Sequence, residues 1–194
     1  MKLASLGTIT TINPPGPQKG RLAVDDLVDF IPMASVKEDG SMEVLEQRKY
    51  GEVSSGFTPF MRNDILVAKI TPCFENNKIA LASVSTDYAF GSTEFHVVRC
   101  NSKMLNPKYL VHILRHDYVR ILGERKMTGS GGQRRVPQYF LDELQLPLPD
   151  LVEQERISSL LEKADELRLR LLNGAARTNE LLACLRDRAF RGEL

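Results

Sequence analysis

The sequence predicts a mixed α/β globule followed by one long C-terminal helix, and three observations carry that expectation. From Leu151 onward, apolar or small residues recur at Ile157, Leu160, Ala164, Leu167, Leu171, Gly174, Thr178, Leu181 and Leu185. Steps of three and four alternate along this row, which is the a/d seam of a coiled-coil heptad. Upstream, residues 30–36, 65–70, 79–84 and 95–99 are β-branched, aromatic or apolar runs bounded by turn residues, and they read as short strands. Between the two regions, Asn106-Pro107 opens a helix with proline at its first position.

The chain has 194 residues, with 42% hydrophobic and 26% charged, which suits one folded domain plus an extension. The expected boundary falls in Pro147-Leu148-Pro149-Asp150, giving a globule over 1–148 and a helix over 149–194. Cys73, Cys100 and Cys184 are few and unpatterned, as in a reducing cytosol, so a cytoplasmic location is expected. No N-terminal signal pattern and no apolar run near the length of a membrane span is found, which argues against membrane insertion or secretion. The net charge of +1 hides an asymmetry. Residues 115–135 hold six basic against two acidic side chains, whereas residues 150–170 hold four basic against six acidic.

Taken in order, residues 2–12 form a short mixed segment ending in the loop Asn13-Pro14-Pro15-Gly16-Pro17. Asn-Pro-Pro has the beginning of an adenine-methyltransferase motif, but the aromatic that should follow is glycine and no methyl-donor loop accompanies it, so it reads as a proline loop. Residues 38–41 and Asn63-Asp64 are turns, and residues 71–78 are a polar loop. The helix opened by Pro107 should bury Leu110, Val111, Leu114, Tyr118 and Leu122. Asp150 and Glu153 have the spacing of a capping box for the long helix. The seam is widened by Leu161, Ala175, Leu182 and Ala189, and such a helix needs a second long helix as partner. Ile157, Leu160, Ala164, Leu167, Leu171, Leu181 and Leu185 are the expected dimerisation residues.

Catalysis finds little support. There is no Ser/His/Asp set, no nucleophile elbow and no cysteine-histidine cluster with zinc spacing, and the glycine loop at 129–135 lacks the Gly-Lys-Ser/Thr ending of a phosphate-binding loop. His112 and His116 stand four apart without a metalloprotease glutamate between them, and read as a solvated helix face. No catalytic residue, metal or cofactor is expected. The loop Gly129-Ser130-Gly131-Gly132-Gln133-Arg134-Arg135 is more telling. Glycine amides can meet phosphate oxygens, Arg can grip guanine edges and Gln adenine edges.

These residues reach a known family. Asn63-Asp64-Ile65-Leu66-Val67-Ala68-Lys69-Ile70-Thr71-Pro72-Cys73-Phe74-Glu75-Asn76-Asn77-Lys78 resembles the central signature of type I restriction-modification specificity subunits (HsdS). So do Gly91-Ser92-Thr93-Glu94-Phe95, the glycine loop through Val136-Pro137, and Leu146-Pro147-Leu148-Pro149 through Glu153-Gln154, all in the family's order. The resemblance implies a target recognition domain followed by a coiled-coil spacer helix. It implies a non-catalytic subunit that binds double-stranded DNA and directs adenine methylation and restriction by partner subunits. Those partners are DNA methyltransferase (modification) subunits and a restriction subunit. Base flipping would then belong to the partner enzyme.

A typical family member carries two recognition domains and two helices. One of each here implies a half subunit or a fragment, expected to form a homodimer through its helix. Forty helical residues make a rod of about 60 Å, and a two-fold dimer predicts an interrupted palindrome as target. Expected phosphate contacts are Lys69, Lys78, Arg125 and Lys126. Ser130, Gln133, Arg134 and Thr93 are expected at or near base edges, with Thr71, Ser92 and Arg135 beside them. A reading from another class, a helical scaffold whose globule binds a protein, accounts for the seam but not for the basic glycine loop.

Overall fold

The computed structural model describes residues 3–193. Ten strands and six α-helices follow one another: β1 (Leu3–Ser5), α1 (Leu6–Ile9), β2 (Thr10–Ile12), β3 (Leu27–Ile31), β4 (Glu46–Lys49), α2 (Tyr50–Val53), β5 (Thr58–Phe60), β6 (Ile65–Ala68), β7 (Ile79–Leu81), β8 (Ala89–Gly91), β9 (Phe95–Cys100), α3 (Pro107–Leu114), α4 (Asp117–Lys126), α5 (Gln138–Glu143), β10 (Gln145–Pro147) and α6 (Leu151–Phe190). The chain divides into two compact units, Met1–Glu155 and Arg156–Leu194.

The first unit holds two four-stranded sheets. One runs β2-β9-β6-β7 and is antiparallel throughout. The other runs β4-β3-β8-β5, with β3 and β8 parallel. A separate ladder joins β1 to β10 near the two ends of the unit. Every residue of β6 is buried. It lies between β9 and β7, which pair both its edges, and its burial on both faces matches a continuous apolar run rather than an alternation.

The strand β3 feeds two cores. Ile31 joins Leu66, Phe60, Phe95 and Val97 in the larger cluster, while Val28 and Phe30 join Val53 and Phe90 in the smaller one. Alternate side chains of a strand face opposite sides, which is how one strand serves both. Asp29 lies between them and is fully buried. Its carboxylate accepts hydrogen bonds from Gln47 Nε2 at 2.8 Å, Ser85 Oγ at 2.9 Å and the Thr86 amide at 3.3 Å, and also from the Ser85 amide. Burial alone would raise its pKa, but these donors outweigh burial and hold it below the usual carboxylate value.

Several expectations need correction, and the strands expected over 65–70 and 79–84 end at Ala68 and Leu81. The strand expected over 30–36 ends at Ile31, and residues Met33–Ser35 form a 3-10 turn after Pro32. The single helix expected to run from Pro107 past Leu122 is two helices. The break comes at Arg115-His116, where His116 takes an extended backbone and its ring Nδ1 accepts a hydrogen bond from the Tyr118 amide at 3.1 Å. A residue that caps α4 is not one of a histidine pair on a continuous helix face. The break also rotates Tyr118 outward, and it is 63% exposed rather than part of the buried face.

Asn106 caps α3 by accepting from the Lys108 amide at 2.8 Å, with Pro107 following it in the first turn. Asp150 accepts from the Glu153 amide at 2.9 Å at the start of α6. Gln154 is fully buried in the first unit. Its Nε2 donates to the carbonyls of Met104 and Pro149 at 3.0 and 2.8 Å, and its Oε1 accepts from the Asn106 amide at 2.8 Å. The Glu-Gln pair of the sequence signature is thus a helix start and a three-way backbone brace.

The second unit is the remainder of α6. Its residues from 160 to 193 are exposed. Thr178 Oγ1 bonds back to the Gly174 carbonyl at 3.0 Å, and Arg170–Glu166 and Arg191–Asp187 are ion pairs one turn apart. No helix among the described residues is long and apolar enough to cross a membrane.

Candidate nucleic-acid interface

Three segments meet beyond the end of β6. The Lys69 amide donates to the Glu94 carbonyl at 2.9 Å, the Val136 amide to the Lys69 carbonyl at 2.8 Å, and the Thr71 amide to the Arg134 carbonyl at 2.9 Å. Residues 69–71 therefore run beside both the turn before β9 and the strand that leaves the glycine loop. That loop is a small hairpin. Thr128 and Arg135 exchange both backbone hydrogen bonds, at 3.0 and 2.7 Å, and the Gln133 amide closes the tip on the Ser130 carbonyl at 3.2 Å.

Glycine is required at 129. Its φ is +122°, and a Cβ there would stand 2.6 Å from the Gln133 carbonyl oxygen. Without that close approach the hairpin could not close and the side chains at 133–135 would lose their register.

The pairing brings Lys69, Thr71, Ser92, Ser130, Gln133, Arg134 and Arg135 into one neighbourhood, with Thr93 exposed in the adjoining turn. Ser92 Oγ accepts from the Glu94 amide at 3.2 Å and so shapes that turn. Ser130, Gln133 and Arg134 are exposed. Lys78 is placed differently. It is half-buried, and its Nζ reaches the Met33 carbonyl at 3.4 Å. Arg125 and Lys126 are exposed in the last turn of α4, two residues ahead of Thr128.

Two carboxylates that the sequence reading leaves out face these arginines. Arg135 makes a two-pronged pair with Glu94, Nε to Oε2 at 3.0 Å and Nη2 to Oε1 at 2.7 Å, and its Nη1 donates to the Gln133 carbonyl at 3.3 Å. Hydrogen bonds from Arg135 hold the Glu94 carboxyl below its ordinary value, against a smaller opposing effect of burial. Glu75 Oε1 accepts from Thr71 Oγ1 at 2.9 Å and stands 3.6 Å from Arg134 Nη2. Both acids lie inside the motifs quoted above, but an isolated acid in a basic loop carries no periodic signal.

A third unanticipated residue is His96 on β9, 5% exposed. Its Nε2 lies 2.8 Å from the Val136 carbonyl and its Nδ1 lies 3.2 Å from Asn13 Nδ2. Asn13 also donates to Gln138 Oε1 at 2.8 Å and accepts from the Val97 amide at 3.1 Å. The neutral ring with hydrogen on Nε2 satisfies both contacts, donating to the carbonyl and accepting from the amide. Burial pushes its pKa down. Val136 follows the hairpin directly, so His96 anchors the hairpin's exit to the central sheet and to the proline loop.

The support extends to α4. Phe74, 1% exposed in the 71–78 loop, packs directly over Gly123. Arg115 spans the same loop from the other side, with Nη1 3.0 Å from the Ile79 carbonyl and Nη2 3.1 Å from the Glu38 carbonyl.

A β platform that carries polar and basic side chains on a hairpin and two neighbouring loops has the form of a recognition module, with its binding groups on loops over a scaffold. The comparisons narrow that class. The family model described as "Type I restriction modification DNA specificity domain" matches residues 2–182, and the chain belongs to that family. It is similar to the Type I restriction enzyme EcoAI specificity subunit of Escherichia coli, 41% identical over 165 residues covering 81% of this chain and 28% of that protein. It is also similar to the EcoEI specificity subunit of Escherichia coli, 36% identical over 189 residues covering 93% of this chain and 31% of that one. The chain thus spans about a third of the length of these relatives. The crystal structure of the HsdS subunit from Thermoanaerobacter tengcongensis shares the fold, with a TM-score of 0.70 and 24% identity over 93% of this chain and 46% of that one.

Proposed function

We propose that this chain supplies sequence-specific recognition of double-stranded DNA to a type I restriction-modification complex, while methyltransferase and restriction subunits supply the chemistry. The observation that carries the reading is the hairpin at 128–136. It sets exposed Ser130, Gln133 and Arg134 at the tip of a platform that also holds Lys69 and Thr71, in a chain of the specificity family. Gln133, Arg134, Ser130 and Thr93 reach base edges, with Ser92 and Thr71 beside them. Lys69, Arg125 and Lys126 contact phosphates, and Lys78 does so by exchanging its hold on the Met33 carbonyl. Phosphate contacts set position and salt dependence, and base contacts set sequence.

The recognition unit occupies 1–148 and the helix 149–194 measures the distance between two such units in a homodimer. Support for the dimer comes from the seam. Leu160, Leu167, Leu171, Leu181 and Leu185 are 38–67% exposed, and an apolar row of that length calls for a covering helix. Two symmetric half-sites would be read together, the second contact being intramolecular and so raising affinity and selectivity.

The test is selection from a randomised duplex pool with the full chain co-purified with a type I methyltransferase subunit. Enrichment of an interrupted palindrome is the expected result, and enrichment of no sequence refutes the reading. Solution mass should be twice 21.8 kDa, and Leu171→Asp combined with Leu181→Asp should return it to the single-chain value. A wild-type mass of one chain refutes the homodimer.

A further inference from the structure

The hairpin ends in two adjacent arginines whose surroundings differ. Arg135 has Nε, Nη1 and Nη2 all engaged, two of them on Glu94. Glu94 is itself tied into the platform, since its carbonyl accepts from the Lys69 amide and its amide donates to Ser92 Oγ. A guanidinium in a two-pronged carboxylate pair has little donor capacity left for a base or phosphate. Among the described residues, the Arg134 guanidinium has only the 3.6 Å approach to Glu75, too long for a hydrogen bond, and the side chain is 47% exposed. Glu75 is held in that place by Thr71 Oγ1, so it waits beside Arg134 whether or not the arginine is there.

We infer that the two arginines have separate jobs: Glu94 locks Arg135 as a positioning residue for the hairpin, while Arg134 is the one presented to DNA, and Glu75 is the carboxylate that DNA displaces from it. This rests on the proposed DNA-recognition role. It goes further by separating residues that the sequence pattern treats alike and by assigning roles to two acids. Glu75 lowers affinity for every duplex, because the Arg134 pair must be given up before contact.

The experiment uses the full chain, the duplex enriched from the randomised pool, and a scrambled duplex of equal length, titrated between 50 and 200 mM salt. Arg134→Ala should lower affinity for the enriched duplex by about 5- to 150-fold and collapse the preference over the scrambled one. Arg135→Ala and Glu94→Gln should each reduce that preference by the same factor, and the double variant should be no worse than either, because the pair acts as one unit. Exchanging the partners, Glu94→Arg with Arg135→Glu, should recover part of the loss. Circular dichroism and a thermal melt on each variant confirm that the fold is retained.

Glu75→Gln should raise affinity for both duplexes, and the rise should vanish in the Arg134→Ala background. A rise that persists there would reduce Glu75 to a bulk charge and overturn its role, as would no rise at all. If Arg135→Ala flattens the salt dependence by about one unit of slope, Arg135 neutralises a phosphate and the division is wrong. If the wild-type chain enriches no sequence, the recognition reading itself fails and the division falls with it. If it enriches one and Arg134→Ala keeps the preference, only the division fails.

Discussion

Alanine at Gly123 tests how firmly α4 supports the 71–78 loop. In a helix interior this exchange ordinarily stabilises, by about 0.8–1 kcal/mol of propensity. Here the added Cβ would stand 2.3 Å from Phe74 Cζ, 2.6 Å from its Cε1 and 3.1 Å from Phe140 Cε1. Carbon atoms settle at about 3.5–4.0 Å, so the Phe74 ring must retreat by more than about 1 Å. It has little freedom to do so, being 1% exposed, and Phe140 closes the other side at 6%. Overpacking of this kind costs about 1–3 kcal/mol, and so short a contact belongs at the upper end. After the propensity gain, a net loss of about 1–2 kcal/mol remains. For a chain of 194 residues that lowers the melting temperature by about 2–8 °C. Differential scanning calorimetry reads it directly. Gly174→Ala, made in the Leu171→Asp/Leu181→Asp background so that the seam is unpaired, is the control, because nothing in its own chain lies within 4 Å of its Cβ position, so it should keep the propensity gain. Phe74→Leu added to Gly123→Ala should return part of the loss. A Gly123→Ala protein that melts at or above the wild-type temperature would refute the close packing of loop on helix.

Asp64→Ala removes the buried partner of Arg99, whose Nε and Nη2 donate to it at 2.8 and 2.7 Å, and also the acceptor for the Met61 amide. Asp64 is 2% exposed, but the Arg99 side chain keeps 32% exposure and can turn to water, so the loss in urea unfolding should be about 3 kcal/mol, the low end for a broken buried pair; a loss below about 1 kcal/mol would show the pair to be solvent-screened. His96 sets a pH dependence, with Lys69, Asp142 and Glu94 as the charged groups around it and its folded pKa below 6.5. The unfolded chain takes up the proton first, so its contribution is complete above about pH 6.5 and is lost as pH falls toward the folded value. Urea midpoints measured from pH 7.5 to 5 should therefore decline, and His96→Gln, which keeps a donor and an acceptor, should flatten the decline; an unchanged slope in that variant would remove His96 as its source.

The parts legible in the sequence are those fixed by neighbours within a turn or two. The start and length of α6 follow from the Pro-Asp boundary and the heptad row, and the structure gives Leu151–Phe190. β6 and β9 are likewise readable as apolar runs. β4 is not, because Glu46-Gln47-Arg48-Lys49 is a charged edge strand, and exposed edges are polar for protection rather than for packing. β10 is only three residues, and its pairing with β1 spans nearly the whole first unit. The break between α3 and α4 depends on His116 acting as a cap, a local choice that competes with a nearly continuous apolar pattern.

The same division holds at the candidate site. The glycines and arginines of the hairpin are visible as composition, but their inequality is set by Glu75 and Glu94, which stand 59 and 41 residues away from Arg134 and Arg135 respectively. Those contacts exist only because residues 69–71 bring the 71–78 loop and the turn before β9 to the hairpin. Under the proposed function, a surface assembled from three loops changes its specificity through any one of them, whereas the platform beneath must stay fixed. That accounts for where the buried braces lie: His96 on β9 holds the hairpin's exit, Gly123 on α4 admits Phe74, and Arg115 fastens the loop's far end. Substitutions at those three positions should disturb every target alike, and substitutions at Gln133 or Arg134 should redirect the choice among them.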